Sequence, residues 1–268
     1  MDLQLAGRRA LVTGSSSGIG EGIARMLAEE GCAVVVHGRN RERAEKVAVE
    51  IKAAGVALGD LSTDEGAASV HDQARSALGG TIEILVNNAG GSTTDSTTRA
   101  PLDVKVEEWV AQYHGNTLAA VRLVLLAVPE MVAAKWGRVI NISSAVALQP
   151  NNLGPDYTGA KAALNNFTVS LAGSLHASGV TVNTVTPGVV MIDGLINFAR
   201  EQYGIPDMTI EQITERMAAD KIFEIPPSGR LGRAEDLAMV VSLLASPRSG
   251  FITGSNYRVD GGQVRSVL

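Results

Sequence analysis

Ala10-Leu11-Val12-Thr13-Gly14-Ser15-Ser16-Ser17-Gly18-Ile19-Gly20 is the stretch on which the reading of this chain turns. Three apolar residues suited to a buried strand run into a turn of glycine and serine, and helical periodicity follows over 19–30. A strand, a glycine turn and a helix N-terminus in that order form an anion cradle. The first N–H groups of the helix have no intrahelical partner, the dipole favours negative charge, and glycine lets a pyrophosphate reach the backbone. An ordinary tight turn uses the same glycines, so the stretch points to a dinucleotide only in company.

The company is there. Short β-branched runs at 9–13, 33–37, 56–59, 82–87, 139–143 and 181–186 read as strands. Helical patterns at 19–30, 41–54, 63–78, 106–134 and 156–177 separate them, and a helix at 234–245 and a strand at 256–259 close the series. Such alternation predicts an α/β fold, a doubly wound parallel sheet with right-handed crossovers and helices on both faces. It predicts one domain over 1–268, with ligands at the carboxyl ends of the strands. Between 189 and 227 the pattern loosens, broken by Pro206 and Pro226, and Ile192, Leu195, Ile196, Phe198, Met217 and Phe223 predict an apolar lid over the pocket.

Composition agrees with a compact aliphatic core. The 268 residues are 45% hydrophobic but only 4% aromatic, with 29 glycines that allow close backbone approach. A formal charge of -5 argues against nucleic acid as a partner and leaves a small molecule. The single cysteine, Cys32, reads as a buried residue and excludes an internal disulfide or cysteine metal cluster; no metal is expected. Residues 1–9 do not read as a signal peptide and no segment reads as a membrane span, so a cytoplasmic protein without a membrane partner is expected.

The remaining chemistry sits at strand ends and helix starts. Asn87-Asn88-Ala89-Gly90 ends the fourth strand, where the amides either brace neighbouring strands or meet a cofactor. Tyr157 and Lys161 stand four apart at the start of a helix and so share a face; an ammonium and a helix N-terminus both favour phenolate, which predicts a lowered tyrosine pKa. Ser144, after the fifth strand, offers a hydroxyl to an oxygen gaining charge. Gly115-Asn116 predicts a break within 106–134 whose free carbonyl holds a water. The second strand ends in Gly38-Arg39-Asn40 with no carboxylate for a ribose 2′-hydroxyl. Gly38 leaves room for a 2′-phosphate, Arg39 pairs with it, and Arg41 and Arg43 add positive field, which predicts NADP(H) over NAD(H).

Taken together and in order, these pieces resemble the short-chain dehydrogenase/reductase family. The motifs are Thr13-Gly14-x-x-x-Gly18-Ile19-Gly20, Asp60, Asn87-Asn88-Ala89-Gly90, Asn116, Ser144, Tyr157-x-x-x-Lys161 and Pro187-Gly188. The resemblance implies an oxidoreductase moving a hydride between NADP(H) and a ketone or secondary alcohol. It makes Tyr157 the acid/base, has Lys161 hold the nicotinamide ribose, Ser144 orient the substrate oxygen and Asn116 anchor a relay water. It places cofactor contacts at Gly14, Ser16, Ser17, Gly18, Ile19, Gly20, Arg39, Asp60, Leu61, Asn88, Ala89, Gly90, Tyr157, Lys161, Pro187, Gly188 and Val190, with Asp60 meeting the adenine amino group. Where the family often has threonine four residues beyond the glycine of Pro187-Gly188, this chain has Ile192. The resemblance also implies a homotetramer pairing through 106–134 and 156–177. A 3-oxoacyl-thioester reductase shares every motif named, and a cofactor-binding protein without turnover shares the fold.

Overall fold

The computed structural model describes residues 1–92, 100–150 and 154–266. The strands are β1 (Arg9–Val12), β2 (Ala33–Gly38), β3 (Gly55–Leu58), β4 (Ile84–Asn87), β5 (Gly137–Ile142), β6 (Val180–Pro187) and β7 (Asn256–Val259). They form one seven-stranded parallel sheet in the order β3-β2-β1-β4-β5-β6-β7. The order reverses between β1 and β4, so the crevice that a doubly wound sheet offers to ligands opens there.

Helices α1 (Gly18–Glu29), α2 (Arg41–Glu50), α3 (Asp64–Leu78), α4 (Val106–Tyr113), α5 (Ala119–Ala133), α6 (Pro155–Ser174) and α9 (Ala234–Ala245) cover the sheet, and α7 (Asp193–Tyr203) and α8 (Ile210–Ala219) form the excursion. Two apolar cores result. One joins α1 and α9 to β1, β4, β5 and β6 through Ile23, Leu27, Ile140, Val185 and Leu237. The other joins α3 and α5 to the opposite face through Leu11, Val70, Leu85, Leu123 and Val139. Gly22 sets how closely the first layer packs, because a Cβ there would lie 2.5 Å from Ala234 Cβ. Cys32 is buried beside β2, and burial pushes its thiol up to about 12.

Two expectations change here. The predicted break near Asn116 is a π-helical turn, His114–Leu118, through which the helix continues from α4 into α5. The helical run Val106–Ala133 contains an 18-residue window with a mean hydropathy of 1.5 and is, by length and composition, long and apolar enough to cross a membrane. Half of that window is buried in the protein, with Ala119, Leu123, Val124, Ala127 and Met131 in the second core, while Val106, Val110 and Leu125 stay exposed.

Candidate active site

The nucleotide half of the crevice is built from four strand ends tied to one another. Thr13, after β1, accepts the N–H groups of Asn88 and Ala89 on its Oγ1, each at 2.9 Å. Asn88 returns its side-chain amide to the carbonyls of Thr13 (2.9 Å) and Gly14 (3.1 Å). Both residues of the asparagine pair therefore brace strands, since Asn87 donates to Asn141 Oδ1 of β5 at 2.9 Å. Gly14 turns the chain with φ +63, in the left-handed region, and a Cβ on it would stand 2.9 Å from Ala89 Cα.

The tied ends enclose a cavity of about 630 Å³, within the usual range for small-ligand sites. Gly14, Ser16 and Ser17 line it from the glycine turn, and Arg39 from the end of β2. Asp60 and Leu61 enter from the β3 end, Asn88, Ala89 and Gly90 from the β4 end, and Asn116 from the π turn. Gly18, Ile19 and Gly20 open α1 beside it, and the N-cap Ser17 makes no side-chain bond to the helix. Arg39 has no carboxylate partner among the described residues, whereas Arg41 is paired with Glu45 at 3.0 Å. Asp60 is held below the ordinary carboxylate range, chiefly by hydrogen bonds from Ser62 and then by the charge of Arg39. Arg122 on α5 steadies this loop by donating to Leu61 O at 3.3 Å.

Two lining residues, His37 and Gln112, stand outside the expected contacts, and a third, Gly38, plays a different part from the one expected. His37 bonds at both ring nitrogens inside the cavity wall; its one sequence signal is a polar residue ending an otherwise valine-rich strand. Gln112 accepts from Asn116 Nδ2 at 2.8 Å, and its spacing of four from Asn116 is a legible helical pair. Gly38 is needed for another reason than room for a phosphate. A Cβ there would lie 2.7 Å from Ser16 Oγ, so this glycine serves the turn itself.

Asn116 holds the chain beyond Gly90 rather than showing a broken helix end. Its Oδ1 accepts from Gly91 N at 2.9 Å and its Nδ2 donates to Gly91 O at 3.2 Å. The π turn is what aims it there while α4 and α5 keep their own faces.

The residues expected to be catalytic lie at the ends of β5 and β6. Pro155 at the first turn of α6 fixes where the helix starts, which places Tyr157 and Lys161 one turn apart. Lys161 is buried, donates to Ile142 O at 2.9 Å, and its Nζ lies 5.8 Å from the centre of the Tyr157 ring. Burial lowers its pKa to about 8. The Tyr157 phenol, contrary to expectation, is pushed above its ordinary value because burial disfavours phenolate; a hydrogen bond with the Ser144 side chain opposes the shift. The ammonium is engaged with the β5 carbonyl and does not offset the desolvation of the phenol.

Pro187 ends β6 and Gly188 follows, its Cα packed so that a Cβ would stand 2.6 Å from Gln263 Oε1. Val189 spends its N–H on Gln263 Oε1 (3.1 Å) and its carbonyl on Gly232 N (2.9 Å). Val190 pairs with Gly232 in a parallel bridge, closed by the Val189 carbonyl and by Met191 N–H donating to Gly232 O at 2.8 Å. Ile192 packs on the first core and beside Gly18. The apolar side chains expected to cover the pocket are largely spent within the excursion. Leu195, Ile196, Met217 and Phe223 pack with Ala199, Met208 and Ile213 into a small core of their own, and Phe198 is 48% exposed.

Residues 8–202 match the family model described as short chain dehydrogenase. The chain belongs to the short-chain dehydrogenase family. It is 35% identical to the 3-oxoacyl-[acyl-carrier-protein] reductase FabG of Pseudomonas aeruginosa over 268 residues, 98% of this chain and all of that one. Among solved structures it resembles the L-sorbose reductase of Gluconobacter frateurii complexed with NADPH and L-sorbose, with a TM-score of 0.90 and 32% identity over the whole of both chains. It also resembles a 7α-hydroxysteroid dehydrogenase complexed with NADH and 7-oxo glycochenodeoxycholic acid, with a TM-score of 0.83 and 28% identity over 100% of this chain and 98% of that one. The protein is thus an oxidoreductase of a family that uses nicotinamide cofactors and small-molecule substrates.

Proposed function

We propose that this dehydrogenase transfers a hydride between NADP(H) and a ketone or secondary alcohol, with Tyr157 as acid/base. The observation that carries the reading is the convergence of Ser144, Tyr157 and Lys161 on the same sheet edge as the nucleotide cavity. The cavity fits an adenosine phosphate: Ser16, Ser17 and Asp60 line it, it adjoins the N-terminus of α1, and Arg39 at the end of β2 has no carboxylate partner among the described residues. Gly18, Ile19 and Gly20 would hold the pyrophosphate, Asp60 and Leu61 the adenine, and Pro187, Gly188 and Val190 the nicotinamide end.

When bound, NADPH supplies the hydride for the carbonyl carbon. Ser144 donates to the substrate oxygen, and Tyr157 transfers its phenolic proton to that oxygen as charge develops. A phenol held above its ordinary pKa stays protonated at neutral pH, which suits reduction. Lys161 holds the nicotinamide ribose and supports phenolate once the proton has left, while Asn116 and the π turn anchor a relay to solvent.

A thioester-bound acyl substrate is the second reading, favoured by the likeness to the Pseudomonas reductase. The excursion speaks for a free small molecule instead. Among the described residues Arg230, Arg265 and Arg216 are matched by Asp236, Glu224 and Asp220, which weakens the positive field there toward an acidic carrier protein. The exposed Val106, Val110, Leu125 and Val169 on α4, α5 and α6 support a homotetramer paired through these helices. The test is a panel of ketones, alcohols and 3-oxoacyl thioesters read at the NADPH absorbance, with wild type and Tyr157→Phe. Turnover of no carbonyl despite cofactor binding would defeat the enzyme reading, and a preference for carrier-linked thioesters would select the second.

A further inference from the structure

Every hydrogen-bonding atom of the His37 ring is used, and each points at a segment that shapes the nucleotide cavity. Its Nδ1 lies 2.9 Å from the N–H of Gly14, which can only donate, so Nδ1 must be the unprotonated acceptor. Its Nε2 lies 3.2 Å from the carbonyl of Gly59, which can only accept, so Nε2 carries the proton. These two contacts fix a neutral ring in one tautomer. The backbone repeats the tie, because His37 N–H donates to Ser15 Oγ at 3.0 Å and Ser15 N–H donates to His37 O at 2.9 Å.

The consequence falls on Gly14. Its N–H is held by His37 and its C=O by Asn88, so both ends of a left-handed glycine are pinned before the chain enters Ser16, Ser17 and α1. The same ring holds Gly59, the residue before Asp60. One side chain thereby sets the separation between the turn facing the phosphates and the loop facing the adenine. At 3% exposure the ring is a wall of the cavity rather than a surface group. The charged groups that face it, Arg39 from the β2 end and Asp60 from the β3 end, act on it in opposite directions, and burial lowers its pKa to about 4.

We propose that His37 is a positioning residue for the dinucleotide: its Nε2–H tautomer staples the Gly14 turn to the Gly59 loop, and cofactor affinity depends on that staple. The proposal rests on reading the cavity as the NADP(H) site. It separates the staple from a merely structural histidine by asking for an acceptor at one place and a neutral ring.

The test measures NADP⁺ binding by calorimetry and kinetics for wild type, His37→Asn, His37→Gln and His37→Phe, with nitrogen NMR of the wild-type ring. Asn sets an acceptor close to the Nδ1 position and should bind NADP⁺ within about threefold of wild type. Gln and Phe leave Gly14 N–H unmatched and should weaken binding about tenfold or more, by roughly the 1.4 kcal/mol that a factor of ten represents. In all three, turnover at saturating cofactor should fall far less than affinity. The NMR spectrum should show unprotonated Nδ1 and protonated Nε2 at neutral pH. Equal affinity across the three variants, or an Nδ1–H or doubly protonated ring, overturns the staple. If His37→Phe fails to fold, the Asn and Gln pair and the spectrum still decide. A wild type that binds neither NADP⁺ nor NAD⁺ overturns the proposed function itself, a result distinct from loss of the Asn/Gln difference.

Discussion

The two halves of the cleft are held in opposite ways. In the nucleotide half Thr13 is tied to Asn88 and Ala89, Gly14 to His37 and Asn88, and Gly91 to Asn116 of the π turn. On the substrate side the excursion of α7 and α8 is joined to the rest mainly at Val189 to Ile192 and Gly232, and its Met208, Ile213 and Met217 pack on one another. Site parts that must not move are fixed by short-range polar ties, and a part that admits the substrate carries its own small core. Such a core lets a segment shift as a body without unfolding.

The comparison breaks most sharply at Tyr157. Tyr157→Phe should lower turnover by about 10³-fold while NADP⁺ affinity stays within about threefold, because only the transferable proton is lost. Binding that fell with turnover would show that the halves are not separable.

Lys161 joins the halves, so Lys161→Met should lower turnover by about 10²-fold and weaken cofactor binding as well. Its buried ammonium also has a pH signature. The folded value of about 8 lies below the ordinary 10.5, so the lysine's contribution to stability is complete above pH 10.5 and lost as pH falls through about 8. Wild type should therefore gain on Lys161→Met between pH 8 and 10.5, by about 3 kcal/mol for a gap of that size. Denaturant unfolding of both proteins at pH 7.5 and 10.5 checks it, and a constant difference would refute the buried charge.

Arg39→Leu should act on the nucleotide half alone, lowering the kcat/KM preference for NADPH over NADH by about 10- to 100-fold, the worth of one charged hydrogen-bonding group. The single variant is the clean one. Adding Gly38→Asp would drive a Cβ into Ser16 and disturb the turn. A wild type that favours NADH would overturn the cofactor assignment.

The smallest global effect belongs to the excursion. Met217→Ala should cost about 2 kcal/mol or more within its small core, seen as faster proteolysis between 193 and 221 with little change in the main unfolding transition. Cofactor and substrate together should slow that cutting in wild type. Unchanged cutting would mean that the segment does not close over the cleft.

The order of elements was legible because strand and helix periods differ, and the strand ends carry glycine, asparagine and serine where a buried sheet would otherwise be apolar. The spacing from Tyr157 to Lys161 located a helix that carries both on one face, and Pro155 its start. What sequence periodicity did not reveal depends on three dimensions. The direction of the Tyr157 shift follows from burial and from Lys161 bonding Ile142, neither of which is a matter of spacing. The residues between 189 and 227 are apolar as expected, but whether Met217 and Ile213 face a pocket or Ala199 is decided by how α7 meets α8. Gly38 read as space for a ligand, and Ser16 fills that space.

The π turn at 114–118 is also a phase shifter. An α-helix advances roughly 100° per residue, so one residue absorbed in a wider turn rotates everything beyond it relative to everything before. Removing a single residue from 114–118 would leave the helix intact as a helix yet swing the buried row Leu123, Val124, Ala127 and Met131 off the sheet. The length of this segment is thereby held to the residue, and an alignment gap placed within it would signal a different placing of Asn116 rather than a neutral trimming.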